Sequence, residues 1–367
     1  MSSADAARSA ELATKLVTMR SILESDGLDA VRLRGHDWFA WATGGSNSVL
    51  WTSELGVAEL FITRTGAFAL ADAIDAGRLR EEEVPGEVEV IELPWADPDG
   101  RDAFVAGRVG DGGVASDVPA RGERPLPQSL VAARQRLGPE EHERYRILGR
   151  DAAEAMTETL RSARPDTTEQ ALAAAGAGAM LRRGIHPGLV LVGGSRRLPR
   201  FRHPTPTAEH LGDRAIAVFC GRRHGLYANL TRFVYFRAPT SRERRNMSVV
   251  AEVEAVAWSA SRPGAALGDV YAAIAAAYER LGFPGAELEH HQGGVSGYRS
   301  REVLATPGGR WTIQPGSALA WNPSLPGAKA EDTVLVVPDG PETLTVDPAW
   351  PAVAGEPRPR PDVLVLD

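Results

Sequence analysis

Histidines, a carboxylate and two arginines crowd the segment His290-His291-Gln292-Gly293-Gly294-Val295-Ser296-Gly297-Tyr298-Arg299-Ser300-Arg301-Glu302. Imidazole exchanges protons near neutral pH, a carboxylate orients or accepts them, and a guanidinium grips a substrate carboxylate. Gly293, Gly294 and Gly297 let backbone N–H groups approach a ligand closely, although glycines in a strand also mark bulges and packing contacts. Further on, Asn322 precedes Pro323, and Lys329 and Glu331 stand two residues apart, a spacing that puts both on one face of a strand. An ammonium, a carboxylate and side-chain amides polarise a carbonyl or guanidino group by hydrogen bonding. The alternative is internal: Lys329 and Glu331 satisfying one another as an ion pair. Such a set of residues describes a small-molecule site built on a sheet.

The rest of the chain must position these groups. Its 367 residues, 43% hydrophobic, suffice for about two domains, each with its own core. The formal net charge is −7 and the 41 basic residues are dispersed, so a nucleic-acid partner is not expected. No apolar run reaches the roughly 18–20 residues of a membrane span. Met1-Ser-Ser-Ala-Asp-Ala-Ala-Arg lacks the apolar segment of a signal peptide, and the lone Cys220 excludes an internal disulfide and any Cys-rich zinc cluster. Cytoplasmic residence and no membrane partner are the expectation.

Leu12, Leu16, Met19, Ile22 and Leu23 recur at helical spacing over 9–27, a helix ending near Gly27. Short strands are expected at 29–34, 49–51, 58–63, 67–70 and 88–93, giving an N-terminal α/β domain over 1–135. From 136 to 367 the pattern changes. Gly138-Pro139-Glu140-Glu141 starts a long helix with carboxylates in its first turn. A second helix begins near Thr167, with Thr168 or Asp166 as cap, and runs to Leu181; others cover 247–260 and 267–281. Strands are expected at 188–192, 215–220, 225–236, 311–321 and 332–337. Helix pairs alternating with antiparallel strands give an α+β architecture. The Pro-rich tail at 357–361 reads as a loose terminus.

These features carry a resemblance. Trp41-Ala-Thr-Gly-Gly, the Pro139-Glu140-Glu141 helix start, Ala228-Asn-Leu-Thr-Arg, Ile313-Gln-Pro-Gly and Glu331-Asp-Thr-Val resemble segments of the pita-bread family of creatinase, aminopeptidase P, prolidase and methionine aminopeptidase. The resemblance covers nearly the whole chain. It implies a creatinase-like N-terminal domain followed by a pita-bread domain, a curved antiparallel sheet covered by helix pairs. The family's peptidases bind two divalent metals through two Asp, one His and two Glu. Those positions fall here on Phe219, Asn229, Gly294, Asn322 and Glu331, so four of five ligands are exchanged. One carboxylate and two amides cannot offset two divalent ions, and no dinuclear metal or other cofactor is expected.

The resemblance also implies roles. Arg202-His203-Pro204 stands where creatinase, itself metal-free, carries its catalytic histidine, which makes His203 the expected proton-transfer residue, with Glu331 or Glu302 orienting it or activating water. A surface histidine beside a proline turn is the alternative. His290 matches a substrate-binding histidine, and Arg301 replaces another family histidine. With His291, Tyr298, Asn229, Asn322 and Lys329 they form the expected substrate-binding set. The implied function is metal-independent hydrolysis, or lyase cleavage, of a small polar C–N bonded compound such as an amide, guanidino acid or dipeptide-like acid. A non-catalytic scaffold is the second reading, and a conventional Xaa-Pro peptidase the third. Relatives pair, so a homodimer is expected, with Trp38, Phe39 and Trp41 available for that contact or for the core.

Overall fold

The structure, a computed structural model, describes residues 3–110, 112–353 and 360–366. The chain divides into two compact units, one ending at Arg136 and the other beginning at Leu137.

In the first unit a helix, Ser3–Ser25, buries Leu12, Leu16, Met19 and Leu23. Gly27, at φ 63°, turns the chain out of it in the left-handed conformation that glycine tolerates. Beyond it lies a six-stranded sheet, ordered Glu89–Leu93, Ala67–Asp72, Leu55–Thr63, Ala30–Gly35, Val114–Ser116, Arg124–Pro125. One expectation needs correction, and one open alternative is decided. Val49, Leu50 and Trp51 form no strand: they are 50%, 68% and 58% exposed in the connection before Leu55–Thr63, so β-propensity over three residues did not find a partner strand. Trp38, Phe39 and Trp41 lie buried on the helix His36–Thr43, where Arg134 packs over the Trp38 ring and donates to Asp37 at 2.5 Å; they are core, and not available for a dimer contact.

In the second unit, helix Pro139–Arg161 opens as its sequence requires, with Glu141 accepting from the Gly138 N–H at 2.5 Å. Thr168 caps the helix Glu169–Leu181. Two sheets make up the centre of the unit. One is ordered Leu364–Val365, Leu226–Tyr235, Arg214–Arg223, His186–Gly194, and the other Val303–Leu304, Gly293–Ser296, Ala318–Trp321, Asp332–Val337, Gly340–Thr343. Hydrogen bonds from Tyr227 N to Gly297 O, Asn229 N to Thr333 Oγ1 and Thr231 N to Glu331 O stitch them side by side into one curved surface. Helices Ser241–Ala260 and Leu267–Arg280 cover the second sheet with Val250, Val253, Ile274, Tyr278, Leu319 and Trp321 in the core between them.

The helix expected at 247–260 begins six residues earlier, because Thr240 and Glu243 form a reciprocal capping box. The strand expected over 311–321 is confined to Ala318–Trp321, since Pro315-Gly316 turns the chain before it. Of the tail expected to be loose, residues 357–359 lie outside the described residues, but the chain from Arg360 onward is anchored. Arg360 pairs with buried Glu254 at 2.8 Å, and Leu364–Val365 adds a parallel strand beside Val234 and Tyr235.

Candidate active site

The hairpin Arg214–Arg223/Leu226–Tyr235 forms the floor. Its register places Cys220 opposite Asn229 and Phe219 opposite Leu230. Directly paired residues project to the same side of a sheet, so Phe219 points away from Asn229, toward Gly176 on the helix Glu169–Leu181. The first ligand position therefore falls on Cys220, one residue later than the sequence comparison placed it. Burial holds the Cys220 thiol protonated, with its pKa pushed up to about 12 and nearby Glu331 adding to the shift.

Beside Asn229 the same face carries Thr231. Asn229 Nδ2 donates to Ser296 Oγ at 3.0 Å, while its Oδ1 is buried without a hydrogen-bond partner among the described residues. Tyr145, on helix Pro139–Arg161, donates to Tyr227 O at 2.6 Å and lies 3.2 Å from the same Ser296 oxygen. Glu331 is held from three sides: Thr231 Oγ1 donates to Oε2 at 2.8 Å, Lys329 Nζ lies 2.7 Å from Oε2, and Arg301 Nη2 donates to Oε1 at 2.8 Å. Burial alone would raise this carboxyl, but Lys329 and Arg301 outweigh it and hold the pKa at about 2. Lys329 and Glu331 thus share a face as their spacing requires, and they are paired.

The structure brings the histidines together. His203, in the loop after strand His186–Gly194, places Nε2 2.9 Å from His290 Nε2. His290 Nδ1 lies 2.6 Å from His291 O. A carbonyl oxygen only accepts, so His290 carries its proton on Nδ1 and presents a bare Nε2 lone pair to His203. His291 stacks on His290 with ring centroids 4.4 Å apart. Burial lowers all three pKa values, His290 to about 3 and His291 to about 4, with Lys329 the next cause for His203 and His290 and Arg301 for His291. Near neutral pH the rings are uncharged.

The remaining predicted residues divide. Arg301 joins Glu331. Asn322 stands just after strand Ala318–Trp321 and is buried, with Oδ1 unpartnered among the described residues. Glu302 accepts from the backbone N–H groups of Tyr298 and Arg299 and so closes the turn after strand Gly293–Ser296. Tyr298 is fully buried and donates to Glu141 at 2.6 Å. These bonds shape the loop that carries Arg301. Thr231 and Ser296 were missed. Thr231 had a signal, standing two residues after Asn229 and hence on its face; Ser296 had none, because no strand was among the expected elements at 293–296.

The sequence profile described as metallopeptidase family M24 matches residues 143–338, more than half of the chain. The chain belongs to metallopeptidase family M24. Solved structures share the fold of this M24 chain over nearly its whole length. The prolidase of Pyrococcus horikoshii OT3 is 14% identical with a TM-score of 0.78, covering 91% of this chain and 98% of that one. Dipeptidase PepE from Mycobacterium ulcerans is 19% identical, TM-score 0.76, covering 97% and 98%. The N-terminal domain of FACT complex subunit SPT16 from chickpea, Cicer arietinum, is 13% identical, TM-score 0.71, covering 92% and 96%. No curated protein sequence matches significantly.

The dinuclear metal centre implied by M24 membership does not fit these residues. Both oxygens of Glu331 are already engaged, and an ammonium stands beside them. Asn229 and Asn322 are neutral, and Cys220 keeps its proton. At Gly294 (φ 151°) a Cβ would overlap the carbonyl oxygen of Val303, so a ligand histidine has no room there. Two divalent ions need several anionic oxygens close by, and this M24 chain offers one carboxylate balanced by two cations.

Proposed function

We propose that this M24 chain is a hydrolase of a small, carboxylate-bearing C–N compound, an amide, guanidino acid or dipeptide-like acid, that works without a dinuclear metal centre. The observation that carries it is the 2.9 Å contact between His203 and His290. Because His290 Nε2 bears no proton, the hydrogen bond is donated by His203 Nε2–H, and the second nitrogen of His203, Nδ1, is left as a base. In that role it takes a proton from water as the water oxygen bonds to the carbonyl or amidino carbon; the C–N bond then breaks as the protonated His203 passes that proton to the departing nitrogen. A carboxyl-bearing substrate suits the local charge, since Lys329 and Arg301 together exceed Glu331 by one positive charge and Arg301 Nε is buried without a partner among the described residues. The unpartnered Asn229 and Asn322 oxygens accept from substrate N–H groups. Cytoplasmic residence and a homodimer belong to the same proposal; size-exclusion chromatography tests the second.

The test is turnover of a panel of small amides, guanidino acids and dipeptides, with His203→Ala as control. Turnover that the variant does not reduce overturns the mechanism. A second reading, a non-catalytic binding module, draws on the engagement of both Glu331 oxygens, which leaves that carboxylate no vacancy for a water. It requires no turnover of any panel member.

A further inference from the structure

We propose that His203, His290 and His291 form a binding site for a single divalent transition-metal ion of the zinc class, separate from the family's dinuclear position. One nitrogen of each ring lies within 4.8 Å of the other two. Tetrahedral zinc with Zn–N bonds of about 2.0–2.1 Å sets its nitrogens about 3.4 Å apart. The closest pair is already at 2.9 Å. The widest separation closes by a movement of about 1.4 Å to reach that tetrahedral spacing, which the exposed His203 side chain, on a loop, accommodates.

The geometry has the supports that such a site needs. A ligand imidazole is oriented by the hydrogen bond of its other nitrogen, and His290 has this bond already, Nδ1–H to His291 O at 2.6 Å. The carbonyl of His290 is in turn held by Gln292 Nε2 at 2.6 Å, which fixes the loop bearing both adjacent histidines. Neutral imidazole suits zinc, copper, nickel and iron, whereas calcium and magnesium take oxygen ligands, and only nitrogens are presented here. Three protein ligands leave a fourth position open. The charged groups that face the rings are Lys329, Arg301 and Glu331, a sum of one positive charge. The fourth ligand is therefore an anion: hydroxide, chloride or a carboxylate. The same excess of positive charge keeps affinity below that of zinc sites lined by thiolates.

The site rests on geometry alone; its effect on activity rests on the proposed function. An ion at the His203 Nε2 lone pair moves the ring proton to Nδ1, the nitrogen assigned as base. Bound metal therefore inhibits, and removing it by chelation activates.

The test uses the full chain, stripped with EDTA and dialysed, then titrated with Co²⁺ and challenged with Zn²⁺. One Co²⁺ per chain, intense visible bands of tetrahedral coordination, and displacement by Zn²⁺ are expected. His203→Asn and His291→Asn, both at exposed positions, should each weaken binding by at least about tenfold, since losing even a hydrogen-bond partner of a metal ligand costs about 10–100-fold. His290→Asn gives the same result if it folds, and the two exposed variants decide the matter if it does not. No binding, two ions per chain, or binding indifferent to the imidazole substitutions would overturn the site. Where a panel substrate is turned over, Zn²⁺ should inhibit in proportion to occupancy; absence of turnover sinks the functional reading and leaves the binding curve to judge the site.

Discussion

Neighbouring residues of the curved surface build two opposite kinds of polar cluster. Thr231 and Glu331 face the candidate site, where one carboxylate meets two cations and buried amide oxygens are unpartnered. Arg232 and Asp332, one residue later on each segment, pair with each other at 2.7 Å, and Thr345 closes the arrangement by donating to Asp332 at 2.5 Å and accepting from Arg232 through its carbonyl at 2.8 Å. Nearby, Arg360 pairs with Glu254 at 2.8 Å. Both clusters are deeply buried, so burial does not distinguish site from scaffold. Charge pairing does: in the scaffold each arginine has a carboxylate of its own, although Glu254 Oε1 has no hydrogen-bond partner among the described residues, whereas the site sets two cations against one carboxylate.

Single substitutions separate the two. On the site side, His203→Ala should cut kcat/KM on any panel substrate by about 10²–10⁴, the usual worth of a general base, while stability changes by no more than about 0.5 kcal/mol because the side chain is exposed. Urea unfolding alongside the kinetics checks both halves. On the scaffold side, Arg232→Ala leaves Asp332 buried without its cation and should cost about 3–5 kcal/mol; a loss under about 1 kcal/mol would show that this network is not structural.

Protonation sharpens the same contrast. His290 and His291 have pKa values lowered from 6.5 to about 3 and about 4 by burial and the neighbouring cations, and Glu331 from 4.5 to about 2. The folded state binds fewer protons than the unfolded one, so stability from the site is full above pH 6.5, is lost from the imidazoles as pH falls from there toward 3, and from Glu331 as pH falls from 4.5 toward 2. Glu254 behaves oppositely. Burial, then Asp332, raises it from 4.5 to about 8, so the folded state binds the extra proton and stability falls as pH rises between those values. Urea midpoints from pH 4 to pH 9 should describe a dome; Glu254→Gln should flatten its alkaline side and His290→Asn its acid side. A variant that flattens the wrong limb would exchange the roles given to the two clusters.

Much of this was legible in the sequence, and the exceptions are instructive. Helix Pro139–Arg161 could be read because its start signals are local, as could the hairpin strands, which are long and apolar. The pairing of Lys329 with Glu331 came from a two-residue spacing. The meeting of His203 with His290 joins residues 87 apart, and it was expected only through the family resemblance. Phe219 was misassigned because a one-residue slip flips a strand residue to the other face, and nothing local fixes register there. Tyr298 and Glu302 sit among reactive-looking neighbours, yet the Tyr298 hydroxyl donates to Glu141 and Glu302 accepts from the turn before it, which spacing could not reveal.

Metal content tests the central claim most directly. Protein purified without chelator should carry no more than one transition-metal ion per chain, removable by imidazole substitution at His203 or His291, and turnover should survive EDTA. Near-stoichiometric paired Mn, Co or Zn, with activity abolished by chelation and restored by the metal, would contradict the account.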